Sequence, residues 1–511
     1  MQYMTSKFRS TTHLLNILIT CLSTACTSVN PGNETLTSDD SQQSEHEFHP
    51  DSFAEPDQVD NQSRGSTSFE SGTTLIGKAV FLDPVVRPVS TLKALYGLTL
   101  KSTYGFIERT FIEKVRFPRL EQKPIPGLSD AAPMDTASWE RELDELTTRE
   151  ASTGTISFLV DGDEYFSRLY QSINKAEQSV DIRTYIYDND DVAVQMADLL
   201  RSKSGQLEIK VLVDGLADLF ATRADSPSMP ADADLPPSIS EYLTYGSKVE
   251  FRKQSNPWFT GDHAKITVID GSLAFLGGMN IGREYRYDWH DLMMEIDGPI
   301  VRQLQHEFDL AWAKAGLFGD FAWLATAWRG YKADDSGEGY PIRILTTSIH
   351  DSELYRAQVA AIRRSQNRIY IENTYFSDDK ILFELAMARR RGVDVRVILA
   401  SNGDSGILNL SNQKAVNVML RNGIRVYSYH GMTHVKAAVY DGWACLGSAN
   451  FDKLSLQLNQ EVNLGTSDPA TVEKLLTRVF YPDFKKSAEL HDPFRLDTRH
   501  HFAELIADEL F

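Results

Sequence analysis

The string GDHAKITVIDGSLAFLGGMN, Gly261 to Asn280, constrains this chain more than any other feature, because its pattern returns near the other end as THVKAAVYDGWACLGSAN. The first copy spells H-x-K-x4-D-x6-G-G-x-N with His263, Lys265, Asp270 and Asn280. The second spells H-x-K-x4-D-x5-G-S-x-N with His434, Lys436, Asp441 and Asn450. A single H-x-K is an ordinary occurrence. Two copies with the same residue types at nearly the same spacing predict two equivalent folding units.

Each copy has the pattern of a β-hairpin. HAKITVID alternates polar and apolar, as a half-buried strand does. Side chains two apart share a face, so His263 and Lys265 lie with Thr267 and Ile269, and Ala264, Ile266 and Val268 face the other way. Asp270-Gly271 and Asp441-Gly442 are hairpin-turn signals. A second short strand follows, then Gly277-Gly278 or Gly447-Ser448, where small residues leave room for a ligand near the backbone. Asn280 and Asn450 come next, each expected near a helix start.

The residue types suit phosphodiester chemistry. Such a reaction needs a nucleophile, an acid for the leaving group and positive charge around the non-bridging oxygens. Histidine serves as nucleophile or acid because its ordinary pKa of about 6.5 lies near working pH. Two histidines in opposite protonation states would share the work, with Lys265, Lys436, Asn280, Asn450, Gly278 and Ser448 around the phosphate. The competing reading is a pair of buried hairpins whose histidines only satisfy hydrogen bonds. Lysine is not a usual zinc ligand and no compact His, Cys or carboxylate cluster is visible, so neither metal nor cofactor is expected.

The repeat extends beyond the hairpins. SVDIRTYIYDND (179–190) matches NRIYIENTYFSD (367–378), each a strand running into an aromatic loop. Helical segments VAVQMADLLRSKSG and ILFELAMARRRG follow, then strands LEIKVLVDG and VDVRVILAS, then KVEFRKQ and IRVYSYHG. Lys210 and Arg396 are offset by 186 residues but His263 and His434 by 171, so the first half carries an insertion. ATRADSPSMPADADLPPS (221–238) is that insertion, either a lid or a plain surface loop. Alternating strands and helices predict an α/β fold. The doubling predicts two sandwich domains, 155–335 and 336–511, related by a pseudo-twofold axis with the ligand site at their interface.

With these motifs in place, residues 155–511 resemble the cardiolipin synthase branch of the phospholipase D superfamily. GGMNIGREYRYDWHDLMMEIDGPIV and GSANFDKLSLQLNQEVNL are similar to that branch's extended motifs. Leu454 and Ala264 depart from it, standing where the branch usually or often has arginine. The resemblance implies two phospholipase D-like α/β/α domains and metal-independent phosphatidyl transfer through a phosphohistidine. By the family's habit His263 would be the nucleophile and His434 the general acid. Asp270 and Asp441 complete the two motifs. Asp291 and Glu461 would each support a histidine from behind. The expected partners are a phospholipid substrate and an alcohol acceptor, with cardiolipin formed from two phosphatidylglycerols as the favoured reaction. Hydrolysis by water, a metal-independent nuclease and a lipid-binding protein with an inactive site are the alternatives.

The rest of the chain bears on location. Residues 1–26 have a basic start, Lys7 and Arg9, an apolar run and Ser23-Thr24-Ala25 before Cys26, the pattern of a bacterial export signal. The ending resembles a lipobox with Cys26 as the lipidated residue, which predicts an exported, periplasmic or cell-surface lipoprotein. Residues 27–75 carry ten acids against one base, Arg64, and predict a disordered acidic tether. Residues 76–154 form a basic helical extension and linker. Within them 87–119 is amphipathic, and it either lies on anionic lipid or packs on the catalytic body. Trp139 to Arg149 reads as a short charged helix. The net charge of −19 argues against non-specific nucleic-acid binding, so no nucleic-acid partner is expected.

Overall fold

The computed structural model describes residues 77–216, 226–331 and 339–500. The expected signal with Cys26, the tether, residues 221–225 of the insertion and most of the boundary near 335 lie outside the described residues.

Seven strands form the first sheet: β1 (Thr155–Val160), β2 (Ser179–Thr184), β3 (Glu208–Val213), β4 (Glu250–Lys253), β5 (Ile266–Ile269), β6 (Leu273–Gly277) and β7 (Leu292–Asp297). Eight form the second: β8 (Ile342–Thr347), β9 (Arg368–Asn373), β10 (Asp394–Ala400), β11 (Arg425–Tyr429), β12 (Ala437–Tyr440), β13 (Trp443–Gly447), β14 (Glu461–Thr466) and β15 (Ser487–Leu490). Their orders are β1-β7-β6-β5-β2-β3-β4 and β8-β14-β13-β12-β9-β10-β11-β15, so the second sheet repeats the first and adds one edge strand. In both, three adjacent strands run parallel and the motif hairpin is antiparallel to them. The fold is α/β, two mixed sheets with helices, as the repeat predicts.

The layers explain why the hairpins are buried. Helices Asp161–Lys175 and Asp191–Lys203 cover the outer face of the first sheet, and helices Glu353–Arg364, Asp379–Arg390 and Gly406–Arg421 cover that of the second. The inner faces share one core. Ala264, Ile266 and Val268 from one hairpin and Val435, Ala437 and Val439 from the other belong to the same cluster. The predicted alternation is therefore present, but β5 and β12 are buried on both faces. A half-buried strand was the expectation; the second face is closed by helices. Regular pairing also starts at Ile266 and Ala437, so His263, Lys265, His434 and Lys436 occupy the approach to each strand.

The extension preceding β1 is built into this body. Phe117, Leu120, Trp139 and Leu143 join the outer core of the second half, and Trp139 packs edge-on to Trp443 at 5.2 Å. The short charged helix spans Thr136–Leu146, three residues earlier than its pattern suggested, because Asp135 caps it through Ala137 N and Ser138 N.

Candidate active site

Backbone bridges across the two halves bring the H-x-K segments together. His263 N donates to Gln460 O at 2.9 Å, and His434 N donates to His290 O at 2.6 Å. Each motif is thus anchored to the segment that follows the other motif's asparagine.

The side chains repeat this crossing. His263 Nδ1 lies 3.0 and 3.1 Å from the two carboxylate oxygens of Glu461, which opens β14 of the second half. His434 Nδ1 lies 2.6 Å from Asp291 Oδ2, just before β7 of the first. A carboxylate behind Nδ1 fixes the proton there and leaves Nε2 free for chemistry. Lys265 Nζ donates to His263 O at 2.7 Å and Lys436 Nζ to His434 O at 2.8 Å, so each lysine folds back over its own histidine. Tyr185 lines the His263 side, with ring centres 4.9 Å apart, and Tyr285 and Trp289 lie 5.7 and 5.2 Å from His434.

Burial sets the electrostatics. It pushes Lys265 down to about 7 and Lys436 to about 8, with the opposing lysine further lowering Lys265. It lowers His263 and takes His434 well below its ordinary value, the latter helped by Lys436 and Lys265. It raises the Asp291 carboxyl to about 7. Burial therefore favours the neutral form of both imidazoles. An arriving anion reverses this balance, because its negative charge favours every protonated group around it.

The two motif aspartates are elsewhere. Asp270 stands beyond β5, and its carboxylate accepts from the backbone N–H groups of Glu177, Gln178 and Ser179 at 2.7–2.9 Å. Asp441 accepts from Met134, Gln366, Asn367 and Arg368 at 2.7–3.0 Å. Both have φ of 52°, in the left-handed region that the turn requires. Four strand residues span about 13 Å, so neither carboxylate meets the histidines. They fasten the hairpin ends. The first turn takes three residues, Asp270 to Ser272, and the second two, which accounts for the x6 and x5 spacings.

The Gly-Gly and Gly-Ser pairs also act differently from the expected phosphate cradle. A Cβ on Gly278 would meet Asp291 Oδ1 at 2.2 Å, so this glycine makes space for the carboxylate behind His434. Ser448 Oγ donates to Glu461 Oε2 at 2.6 Å and is fully buried. Both residues therefore lie against the carboxylates that face the two histidines. Asn280 turns its Oδ1 to Thr184 Oγ1 and Ile186 N, both at 3.1 Å, while Asn450 Oδ1 is buried with no hydrogen-bond partner. A π-helical turn follows each asparagine, Glu284–Asp288 and Leu454–Leu458, and the first places Tyr285 beside His434. The described part of the insertion reaches this turn, with Arg283 Nε donating to Ser228 Oγ at 3.0 Å.

Sequence reasoning missed His290. Its ring is buried between Asp161 and Asp483, at 2.6 and 3.1 Å, beside Glu372. The sequence showed no compact cluster of metal-ligating types, yet the fold assembles one from three distant segments. The sheet register makes Arg183 and Glu372 equivalent positions of opposite charge, a match that the aligned strings do not show.

A family model described as cardiolipin synthase, PLD-like domain, matches residues 169–312 and 359–480. A probable cardiolipin synthase of Bacillus subtilis is 30% identical over 352 residues, covering 66% of this chain and 67% of that protein. A cardiolipin synthase of Clostridium perfringens is 25% identical over 436 residues, covering 78% of this chain and 88% of that one. Among solved structures, phosphatidylserine synthase of Haemophilus influenzae superimposes with a TM-score of 0.56 at 16% identity, covering 73% of this chain and 99% of the other.

Proposed function

Because the chain belongs to the cardiolipin synthase family of phospholipase D-like proteins, we propose that it is a phosphatidyltransferase that joins two phosphatidylglycerols into cardiolipin and releases glycerol. The observation that carries this reading is the crossed pairing of two buried imidazoles with carboxylates of the opposite half. His263 Nε2 attacks phosphorus, and the bond to the headgroup glycerol breaks. His434, protonated as the anionic substrate arrives, gives its proton to the departing oxygen. Lys265 and Lys436 offset the phosphoryl charge, and Glu461 offsets the positive charge on the phosphorylated His263. A second lipid's hydroxyl then returns a proton to His434, attacks phosphorus and frees His263. Two in-line displacements retain configuration at phosphorus. In this proposal residues 155–335 and 336–511 are the two repeated units, and the supporting roles fall to Asp291, Glu461, Gly278 and Ser448.

The same proposal places the protein on a membrane. Helix Pro88–Phe111 packs one side on the body, with Gly97 against Ile349, and turns Leu92 and Tyr96 outward. Helix Gly319–Arg329 adjoins it, Asp320 accepting from Val89 N at 2.9 Å and Lys93 lying over Trp323 at 5.3 Å. Phe321 is 74% and Trp328 90% exposed. A paired apolar surface with basic residues suits anionic lipid. Among the described residues no helix is long and apolar enough to cross a membrane. Export and a lipid anchor on Cys26 complete the proposed location, and labelling the expressed protein with a fatty-acid probe, with and without Cys26→Ala, tests that part.

Incubating the purified protein with phosphatidylglycerol vesicles and identifying products by mass spectrometry tests the reaction. Cardiolipin and glycerol in equal amounts are expected. Phosphatidic acid as the main product would make water the acceptor, and no lipid product would overturn the reading.

A further inference from the structure

We propose that His290, Glu372 and Asp483 bind a divalent transition-metal ion of the zinc type, which clamps the two halves behind His434. The three side chains come from the segment before β7, from β9 and from the helix Tyr481–Lys486. They are 6%, 0% and 1% exposed, and one ligand atom from each lies within 4.8 Å of the others. His290 Nε2 is 3.1 Å from Asp483 Oδ2 and 3.9 Å from Glu372 Oε1. A tetrahedral ion bound at about 2.0–2.1 Å holds its ligand atoms about 3.3 Å apart. Small side-chain movements reach that spacing.

Independent observations point to a cation. Glu372 Oε2 is buried and has no hydrogen-bond partner. A carboxylate oxygen without a partner in the interior is costly. His290 Nδ1 lies 2.6 Å from Asp161 Oδ1, which holds the proton on Nδ1 and turns Nε2 toward the two acids. A carboxylate behind the distal ring nitrogen is the usual outer partner of a metal-bound histidine. Thr433 Oγ1 donates to Glu372 Oε1 at 2.6 Å, and Lys486 Nζ lies 3.6 Å from Asp483 Oδ1, the other oxygen of that carboxylate.

The repeat supplies a comparison. Arg183 on β2 corresponds to Glu372 on β9, and Asp262 before His263 corresponds to Thr433 before His434. In the first half Arg183 and Asp262 form a buried pair, with Nε 3.0 Å from both carboxylate oxygens. In that half the positive charge is part of the chain. In the second half the strand position carries an acid instead, facing a second acid and an imidazole. A bound ion would replace the proton that the imidazole shares with these acids. It would sit in the scaffold rather than touch substrate, since His290 acts on the site through its carbonyl, which accepts from His434 N.

The test uses tag-free full-length protein, stripped with a chelator and titrated with zinc or cobalt(II). About one equivalent is expected to bind with micromolar or tighter affinity, raising Tm, and cobalt is expected to give a visible absorption band. Glu372→Gln and Asp483→Asn should each weaken binding about 10-fold or more. Less than about a tenth of an equivalent bound at tens of micromolar zinc, without a Tm change, would overturn the proposal. So would wild-type affinity in both variants, which would place the ion elsewhere. The chelator-stripped protein gives these readouts whether or not lipid is turned over.

Discussion

Glu461→Gln isolates the crossed support of His263. The Glu461 side chain is fully buried, and His263 Nδ1 lies 3.0 and 3.1 Å from its two oxygens. Glutamine keeps the shape and can still accept from Ser448, but it removes the charge that faces a phosphorylated imidazole. Hydrogen bonds to charged groups are worth about 1.5–3 kcal/mol, so kcat should fall about 10- to 150-fold at about 1.4 kcal/mol per decade. KM should change little, because Glu461 does not face the lipid. A substrate with a p-nitrophenol leaving group separates the two histidines. Its good leaving group needs little protonation, so Asp291→Asn, which weakens His434, should recover most of its lost rate. Glu461→Gln should not recover, because attack by His263 is still impaired. The assay is the pre-steady-state release of p-nitrophenol in the first turnover at saturating substrate, which reports attack and departure alone. A Glu461→Gln enzyme within about threefold of wild type, a change under about 0.7 kcal/mol, would refute the reasoning.

Further expectations follow from the same geometry. Asp441→Asn should cost about 1–3 kcal/mol of stability in urea unfolding, with kcat nearly unchanged, because Asp441 accepts from Met134, Gln366, Asn367 and Arg368 and not from a histidine. Gly278→Ala should lower kcat sharply while the protein still folds, since its Cβ falls 2.2 Å from Asp291 Oδ1. The pH dependence has opposite signs for activity and stability. As pH rises through about 7 to 8, Lys265 and then Lys436 lose the charge that receives phosphate, and kcat/KM should fall. Between about 7 and 10.5 the unfolded chain holds the Lys265 proton that the folded chain has lost, so this group's contribution to stability rises with pH. Comparing wild type with Lys265→Met in both assays isolates the effect. Phe321→Ser with Trp328→Ser should weaken sedimentation with anionic vesicles while turnover of a short-chain, monomeric substrate is kept.

How much was legible in the sequence follows from what kind of information each feature carries. The hairpins, the parallel strands and the alternation of Ala264, Ile266 and Val268 are local patterns, and each is present in the fold. β15 was not visible, since its four half-buried residues make sense only as an edge partner for β11. The histidines and lysines could be read from the repeat alone. The exchange of carboxylates could not, because Glu461 and Asp291 reach across an interface that no spacing encodes. Motif membership also blurred two roles. Asp270 and Asp441 stand beside chemistry in the sequence and at the far end of a strand in space. Ser448 and Gly278 stand beside the phosphate-binding pattern in the sequence and against Glu461 and Asp291 in space. His290 had no sequence signal, since the charge reversal between Arg183 and Glu372 shows only in the sheet register.

Peptide mapping of the enzyme, denatured at alkaline pH during turnover, would locate a covalent phosphatidyl group. A single adduct on the peptide containing His263 is predicted, absent in His263→Asn and accumulating in His434→Ala when the acceptor is an ordinary alcohol. Turnover with no histidine adduct, or an adduct that survives loss of both His263 and His434, would contradict a reaction carried between these two rings.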